Sequence, residues 1–291
     1  MKRFLLFILL FVCFSISTIA QNYVLWEISG NGITKTSYLM GTLKFIGEKE
    51  YYLPVEAVDR LKKATIFAIE DQVDHHAQHE LNKNLHFSKG QSLATVLSPE
   101  DYKKLQEFFA TEFGVSKEAF VKQYNHIKPL ALSIVMTRLS LGEGVKYYDI
   151  ELLEIAKKNK VAAFSLESID RESEALNKFS IEDQSKALMH SVANFKTQKE
   201  EFQKLMKSFP DGDLDEVFTY TLHPFENNPT FVEEFYTKRN QEWIPKIEKM
   251  AHEESSFITV GVSHLEGDKG LPSLLKAKGY TLTPVPVKRR N

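Results

Sequence analysis

Two short loops of this chain carry a basic side chain at the third position after a glycine, and the two side chains differ in chemistry. The first loop reads Gly41, Thr42, Leu43, Lys44, Phe45, Ile46, Gly47, Glu48, Lys49, and the second Gly261, Val262, Ser263, His264, Leu265, Glu266, Gly267, Asp268, Lys269. Both glycines, the acid and the final lysine recur in register, and a Leu-Pro pair follows each copy, Leu53-Pro54 and Leu271-Pro272. An imidazole in such a loop is free to point into a crevice, where it makes a good metal ligand. An ammonium offers no lone pair unless its pKa falls far below ~10.4, and it repels a divalent ion. His264 is therefore a candidate ligand and Lys44 a cation in the matching place. Glu70 ends an apolar run and supplies a carboxylate suited to bind metal or to act as general base on a bound water.

Other clusters read as less chemical. His75, His76, His79 and His86 include the (i, i+3) and (i, i+4) spacings that put two imidazoles on one helical face, but Gln72, Gln78, Asn82 and Asn84 surround them, and the stretch reads as a solvated face. Asp211-Gly212-Asp213-Leu214-Asp215 lacks the placed glycine and distant glutamate of a calcium loop and reads as a turn with a helix cap. Phe45, Tyr51, Tyr52, Phe67, Tyr147 and Tyr148 fall near the expected strand ends, mostly as core.

The elements that must hold these groups follow from periodicity. Tyr23 to Ile28 alternates as a strand, Asn31-Gly32 marks a hairpin turn, and Thr36 to Met40 is a second strand running into the first motif. A helix is expected over Val55 to Ala64 and a strand over Thr65 to Ile69. The second copy repeats this order: a strand at Ser256 to Val260, the His264 loop, a helix from Leu271 stopped by Gly279, and a strand from Tyr280 to Val287. Strands joined through a helix are normally parallel, and ligands in such sheets collect beyond their carboxyl ends. Between the units, helices are expected over 98–114, 129–141, 149–158 and 181–208, with a buried strand at Val161 to Leu166. Further helices are expected over 213–251, broken near Pro224, Pro229 and Pro245. The expected fold is one α/β domain over 21–291, with two strand-loop-helix-strand pseudo-repeats forming a central sheet and a helical insertion at about 98–255.

Lys2 and Arg3, the apolar run Phe4 to Phe14 and small residues up to Ala20 have the layout of a secretory signal peptide, residues 1–20, with cleavage after Ala20 and a secreted or periplasmic destination. No later run reaches the ~20 residues of a membrane span. The one cysteine, Cys13, lies in that leader, so no disulfide holds the rest. With 37 basic and 39 acidic side chains and no basic block besides Lys288-Arg289-Arg290, nucleic acid is excluded as a partner class.

With these segments in place, the chain resembles the TraB and GumN family, which includes the Tiki metalloproteases. The resemblance runs through Leu25-Trp26, Ser37 to Thr42, Leu53-Pro54, Glu70, Lys128-Pro129, Tyr148 to Leu152 with Ala156-Lys157, Leu166 to Ile169, Arg239-Asn240 with Trp243, and Gly261 to His264. It implies a divalent-metal site built from two Gly-x-x-His motifs and a glutamate, in which a metal-bound water attacks a peptide bond. By matching position, His264 would be the second histidine, Glu70 the glutamate, and Arg239 and Asn240 a pair facing the same site. Lys44 stands at the first histidine, and Glu172 where many relatives carry Gln. Two functions follow as expectations. One is a secreted, peptidase-like hydrolase in which His264 and Glu70 hold manganese, cobalt or zinc and Lys44 acts on the scissile carbonyl or its oxyanion. The other is a non-catalytic peptide-binding or regulatory protein, in which a Lys44–Glu70 ion pair replaces the metal.

Overall fold

The computed structural model describes residues 23–70, 83–142, 144–209 and 228–287. The leader at 1–20, His75, His76, His79, the stretch Asp211 to Asp215 and the basic tail lie outside the described residues.

The strands are β1 (Leu25–Gly30), β2 (Ser37–Thr42), β3 (Ile46–Gly47), β4 (Ile66–Ile69), β5 (Val145–Lys146), β6 (Ala162–Ser165), β7 (Ser256–Gly261) and β8 (Tyr280–Pro284). Six of them form one mixed sheet in the order β6-β4-β7-β2-β1-β8, and β3 pairs with β5. β6, β4, β7 and β2 pair in parallel, whereas β1 is antiparallel to both β2 and β8. The hairpin between β1 and β2 turns through Gly30, Asn31 and Gly32, all at positive φ, which explains the two glycines flanking an asparagine. β4 is buried along its whole length and β7 along all but its last residue, so their sequences are continuous apolar runs rather than alternations.

This order carries both glycine motifs to one edge of the sheet. β2 and β7 are adjacent and parallel, with Gly41 opposite Val260 and Thr42 opposite Gly261, so the loops bearing Lys44 and His264 leave neighbouring strand ends. β4 delivers Glu70 on the other side of β7, and β6 delivers Glu167 beyond it. Helix Val55–Lys63 packs on β7 and on helix Tyr148–Lys158, while helix Lys238–Glu253 packs on β7 and on helix Leu271–Ala277. Their apolar faces, including Leu61, Leu152, Trp243, Ile247 and Leu275, join the strands in the main core. A second core of Leu93, Leu105, Phe109, Phe120, Leu132, Met136 and Leu188 holds the helical insertion. Ser98 caps helix Pro99–Phe113 by accepting from the Asp101 amide, and Gly114 closes it at a φ of 68°. Among the described residues no helix is long and apolar enough to cross a membrane.

Three expectations are corrected. The apolar stretch expected as a buried strand is β6, the outer strand of the described sheet. Ala162, Ala163 and Phe164 are exposed on this outermost described strand. The helix expected over 181–208 is two helices, Ile181–Ala193 and Phe195–Ser208, which meet at Asn194. Pro245 does not break its helix, which runs from Lys238 to Glu253. One lost backbone bond is tolerated there because Trp243, Ile244 and Ile247 on either side are anchored in the core.

Gly41 marks a tight approach between β2 and the His264 loop. A Cβ placed on it would lie 2.7 Å from Leu265 Cδ1 and 3.1 Å from Val262 Cγ2. Gly41→Ala is expected to lower the unfolding free energy by about 1–3 kcal/mol, measured by urea denaturation; an unchanged midpoint would show that the His264 loop does not seat on β2 this closely.

Candidate functional site

At the carboxyl ends of β4, β6 and β7 the chain buries a cation and surrounds it. Arg239 is fully buried on helix Lys238–Glu253, directly after a π-helical stretch, Val232–Thr237. Its Nε donates to Glu167 Oε1 at 2.9 Å, and Nη2 lies 2.6 Å from the same oxygen. Nη2 also pairs with Glu70 Oε2 at 3.2 Å, and Nη1 donates to the Phe235 carbonyl at 3.1 Å. The guanidinium plane is stacked between rings, 4.4 Å from the centroid of Phe235 and 4.8 Å from that of Trp243. Trp243 donates its indole N–H to Glu167 Oε2 at 3.0 Å, so both oxygens of that carboxylate are engaged. Burial opposes the Arg239 charge, but Glu70 and Glu167 outweigh it and push the pKa up. Burial raises Glu167, and the hydrogen bond and charge of Arg239 hold it back.

His264 lies against this cluster in a short 3-10 turn, Val262–Leu265, and is 2% exposed. Its tautomer follows from Asn240. The Asn240 amide nitrogen donates to the carbonyls of His264, at 3.2 Å, and Lys269, at 2.9 Å, which leaves Asn240 Oδ1 facing His264 Nδ1 at 2.6 Å. An amide oxygen only accepts, so Nδ1 carries the proton and Nε2 presents a lone pair. That lone pair is met by Arg239 Nη1 at 3.3 Å. Burial, and then Arg239, drive the His264 pKa well below its ordinary value, so the ring is neutral. Glu70 Oε1 sits 3.9 Å from Nε2 and accepts the Gly261 amide N–H. A Cβ on Gly261 would come within 3.2 Å of that oxygen.

A third carboxyl lies close enough to feel the charge of Glu70. Asp149, in the first turn of helix Tyr148–Lys158, has Oδ1 3.1 Å from Thr42 Oγ1, which is itself 3.2 Å from the Val260 carbonyl. One hydroxyl proton cannot serve both oxygens, whereas a protonated Asp149 donating to Thr42 satisfies the chain. Burial of the carboxyl, reinforced by the charge of Glu70 and opposed by Thr42 and Lys44, pushes its pKa up to about 7. Lys44 is an exposed residue between the buried Leu43 and Phe45, and its charge is felt at Asp149. Phe45 anchors that loop edge-on against Tyr147 and Phe202.

The residues singled out in the sequence are thus divided. Glu70, His264, Arg239 and Asn240 come together, and Lys44 stands on the neighbouring loop. The Lys44–Glu70 ion pair expected from the sequence is not among the ion pairs of the described residues, where Glu70 pairs with Arg239. Glu167, Trp243, Thr42 and Asp149 had no assigned role. Glu167 follows a strand end as Glu70 does, and that rule could have found it; Asp149 carries no comparable signal. Glu172 is 4% exposed, its charge acts on Arg239, and its Oε2 has no hydrogen-bond partner.

As a metal centre, the described donors fall short. Catalytic metals of this type use three protein ligands, and no group of three His, Cys, Asp or Glu among the described residues is arranged to hold an ion. His264 Nε2 and Glu70 Oε1 provide two donors, Arg239 lies on both side chains, and Lys44 has no lone pair to add.

Two measurements test this geometry. Glu167→Gln removes one anion from a buried cation and is expected to reduce stability by about 3 kcal/mol, read by denaturant unfolding; a loss below about 1 kcal/mol would mean that the pair is solvated. For Asp149, an unfolded carboxyl titrates near ~3.9. With a raised folded pKa, the folded state keeps its proton longer, so this group lowers stability as pH climbs from ~4 to about 7. Asp149→Asn should abolish that decline; identical pH slopes for variant and wild type would contradict a protonated Asp149.

Comparison with known proteins agrees with the resemblance read from the sequence. The profile described as TraB/PrgY/gumN family matches residues 24–284. Curated proteins and solved structures gave no match. The match spans the whole sheet and every residue of the crevice, and the chain therefore belongs to the TraB/PrgY/gumN family.

Proposed function

We propose that this chain is a secreted binding or regulatory member of its family, in which the crevice at the strand ends captures a peptide and no metal is held. The observation that carries this reading is the donor count at the strand ends, where Lys44 stands in place of a ligand and Arg239 faces the two donors that are present. Its guanidinium donates to His264 Nε2 and to Glu70 Oε2, occupying with a cation the two side chains that would ligate metal. Lys44, where the resemblance calls for the first histidine, adds positive charge beside the crevice rather than a donor atom. Among the described residues, a divalent ion would meet Arg239 and Lys44 with two ligands and no third. Peptide as the ligand class comes from the family resemblance, and secretion from the leader-like residues 1–20.

One distance favours the rival reading, a metal-dependent peptidase-like hydrolase. His264 Nε2 and Glu70 Oε1 are 3.9 Å apart, a span that one ion at ~2.0–2.2 Å from each could bridge. That reading needs a third donor.

Calorimetric titration of the metal-stripped protein, residues 21–291, with manganese, cobalt and zinc separates the two. The binding reading expects no saturable uptake by the wild type and uptake of about one ion per chain by Lys44→His, lost again when His264→Ala is added. Wild-type uptake that disappears in His264→Ala alone would overturn it and direct the work to peptide cleavage.

A further inference from the structure

A second concave site lies on the helical part of the chain, and none of its lining residues belongs to the crevice. It is a small cavity open to solvent, between the start of helix Pro129–Ser140 and helix Ile169–Asn177. Leu85, Leu130, Ala131 and Ile134 give it apolar walls. Its polar groups are few and two of them are poorly satisfied. Lys128, at the N-terminus of helix Pro129–Ser140, donates Nζ to Asn177 Oδ1 at 2.9 Å, and among the described residues no carboxylate pairs with it. Its half-buried ammonium is disfavoured by burial, which lowers its pKa. Ser173, one turn before Asn177 on the same helix, is 5% exposed, and its Oγ has no hydrogen-bond partner. Gln184, by contrast, is fully used. Its amide nitrogen donates to the Phe179 carbonyl at 2.7 Å, and its oxygen accepts from the Leu130 amide at 3.4 Å.

A cation without an anion and a buried hydroxyl without a partner both carry a desolvation penalty. They line one cavity, at the positive end of a helix dipole that favours negative charge. A metal ion is excluded by the ammonium. A phosphate dianion would ask for more donors than these walls offer, whereas a monoanion with a hydrocarbon group matches both halves of the lining.

We propose that this cavity binds a carboxylate bearing a short apolar group, with Lys128 and Ser173 on the carboxylate oxygens and Leu85, Leu130 and Ile134 around the hydrocarbon. The same chemistry is offered by a free short-chain acid and by the C-terminal residue of a peptide with an apolar side chain.

The test is a titration of the mature chain, followed by amide chemical shifts, with four probes: propionate, acetyl-Gly-Leu, the C-terminal amide of that dipeptide, and inorganic phosphate. Saturable shifts at Lys128, Ser173 and Leu130 with propionate alone identify a free acid as the source, and shifts with acetyl-Gly-Leu but not with its amide identify a peptide C-terminus. In either case Lys128→Met should weaken binding by about tenfold or more, and Ser173→Ala, which leaves the charge in place, by a smaller factor. The proposal is overturned if neither carboxylate saturates, if phosphate binds as well as they do, if the dipeptide amide saturates as readily as a carboxylate does, or if Lys128→Met and Ser173→Ala both bind as the wild type does. Should Lys128→Met fail to fold, Lys128→Arg, which keeps the charge, and Ser173→Ala decide the matter through the same shifts.

Discussion

A guanidinium with no access to water is stable only where anions and polarisable faces replace its hydration, and the arrangement around Arg239 meets that requirement from four directions. Glu70 comes from the end of β4, Glu167 from the end of β6, Phe235 and Trp243 from one helical run, and His264 from the loop after β7. Each of these elements must be in register for the charge to be matched. The carboxyl ends of the parallel strands are therefore held to one another through a single side chain.

The same cluster sets the chemistry of the neighbouring groups. Asn240, one residue after Arg239, is locked by the carbonyls of His264 and Lys269, which forces the His264 proton onto Nδ1 and turns Nε2 towards the guanidinium. A neutral imidazole with its lone pair inward is the form a metal would take, yet the lone pair already has a donor. Asp149 lies on the other side of β7, with a proton retained up to about pH 7 by burial and by the charge of Glu70. The crevice thus combines a buried cation, a weakly acidic carboxyl and an exposed lysine. Such groups suit recognition of polar ligands, and they place the weight of the functional question on Lys44 and on donor count.

Much of this could be read from the residues in order. The duplicated glycine motif led to His264 and Lys44, and the rule that ligands gather at carboxyl ends of parallel strands led to Glu70. The hairpin at Asn31, the caps of helix Pro99–Phe113 and the apolar runs of β4 and β7 are local signals with local causes, and they appear where expected. The strand Ala162–Ser165 was misread as buried because four uncharged residues look alike in the middle of a sheet and at its edge. Pro245 was misread as a breaker because local propensity says nothing of the core contacts that hold the helix on either side of it. Asp149 and Glu167 had no visible role, since each gains one only from a partner distant in the chain.

The sequence by itself determined the α/β class and pointed to Glu70 and His264, because strand and helix periodicity, turn chemistry and motif spacing are encoded over a few residues at a time; Arg239 and Asn240 came from the family resemblance. Only the tertiary structure decided which charge faces which. Glu70 is 169 positions from Arg239 and Glu167 is 72 from it, and both reach it only through the strand order that sets β4 between β6 and β7. Glu70 pairs with Arg239, and burial explains why: a cation shielded from water must replace its hydration with anions.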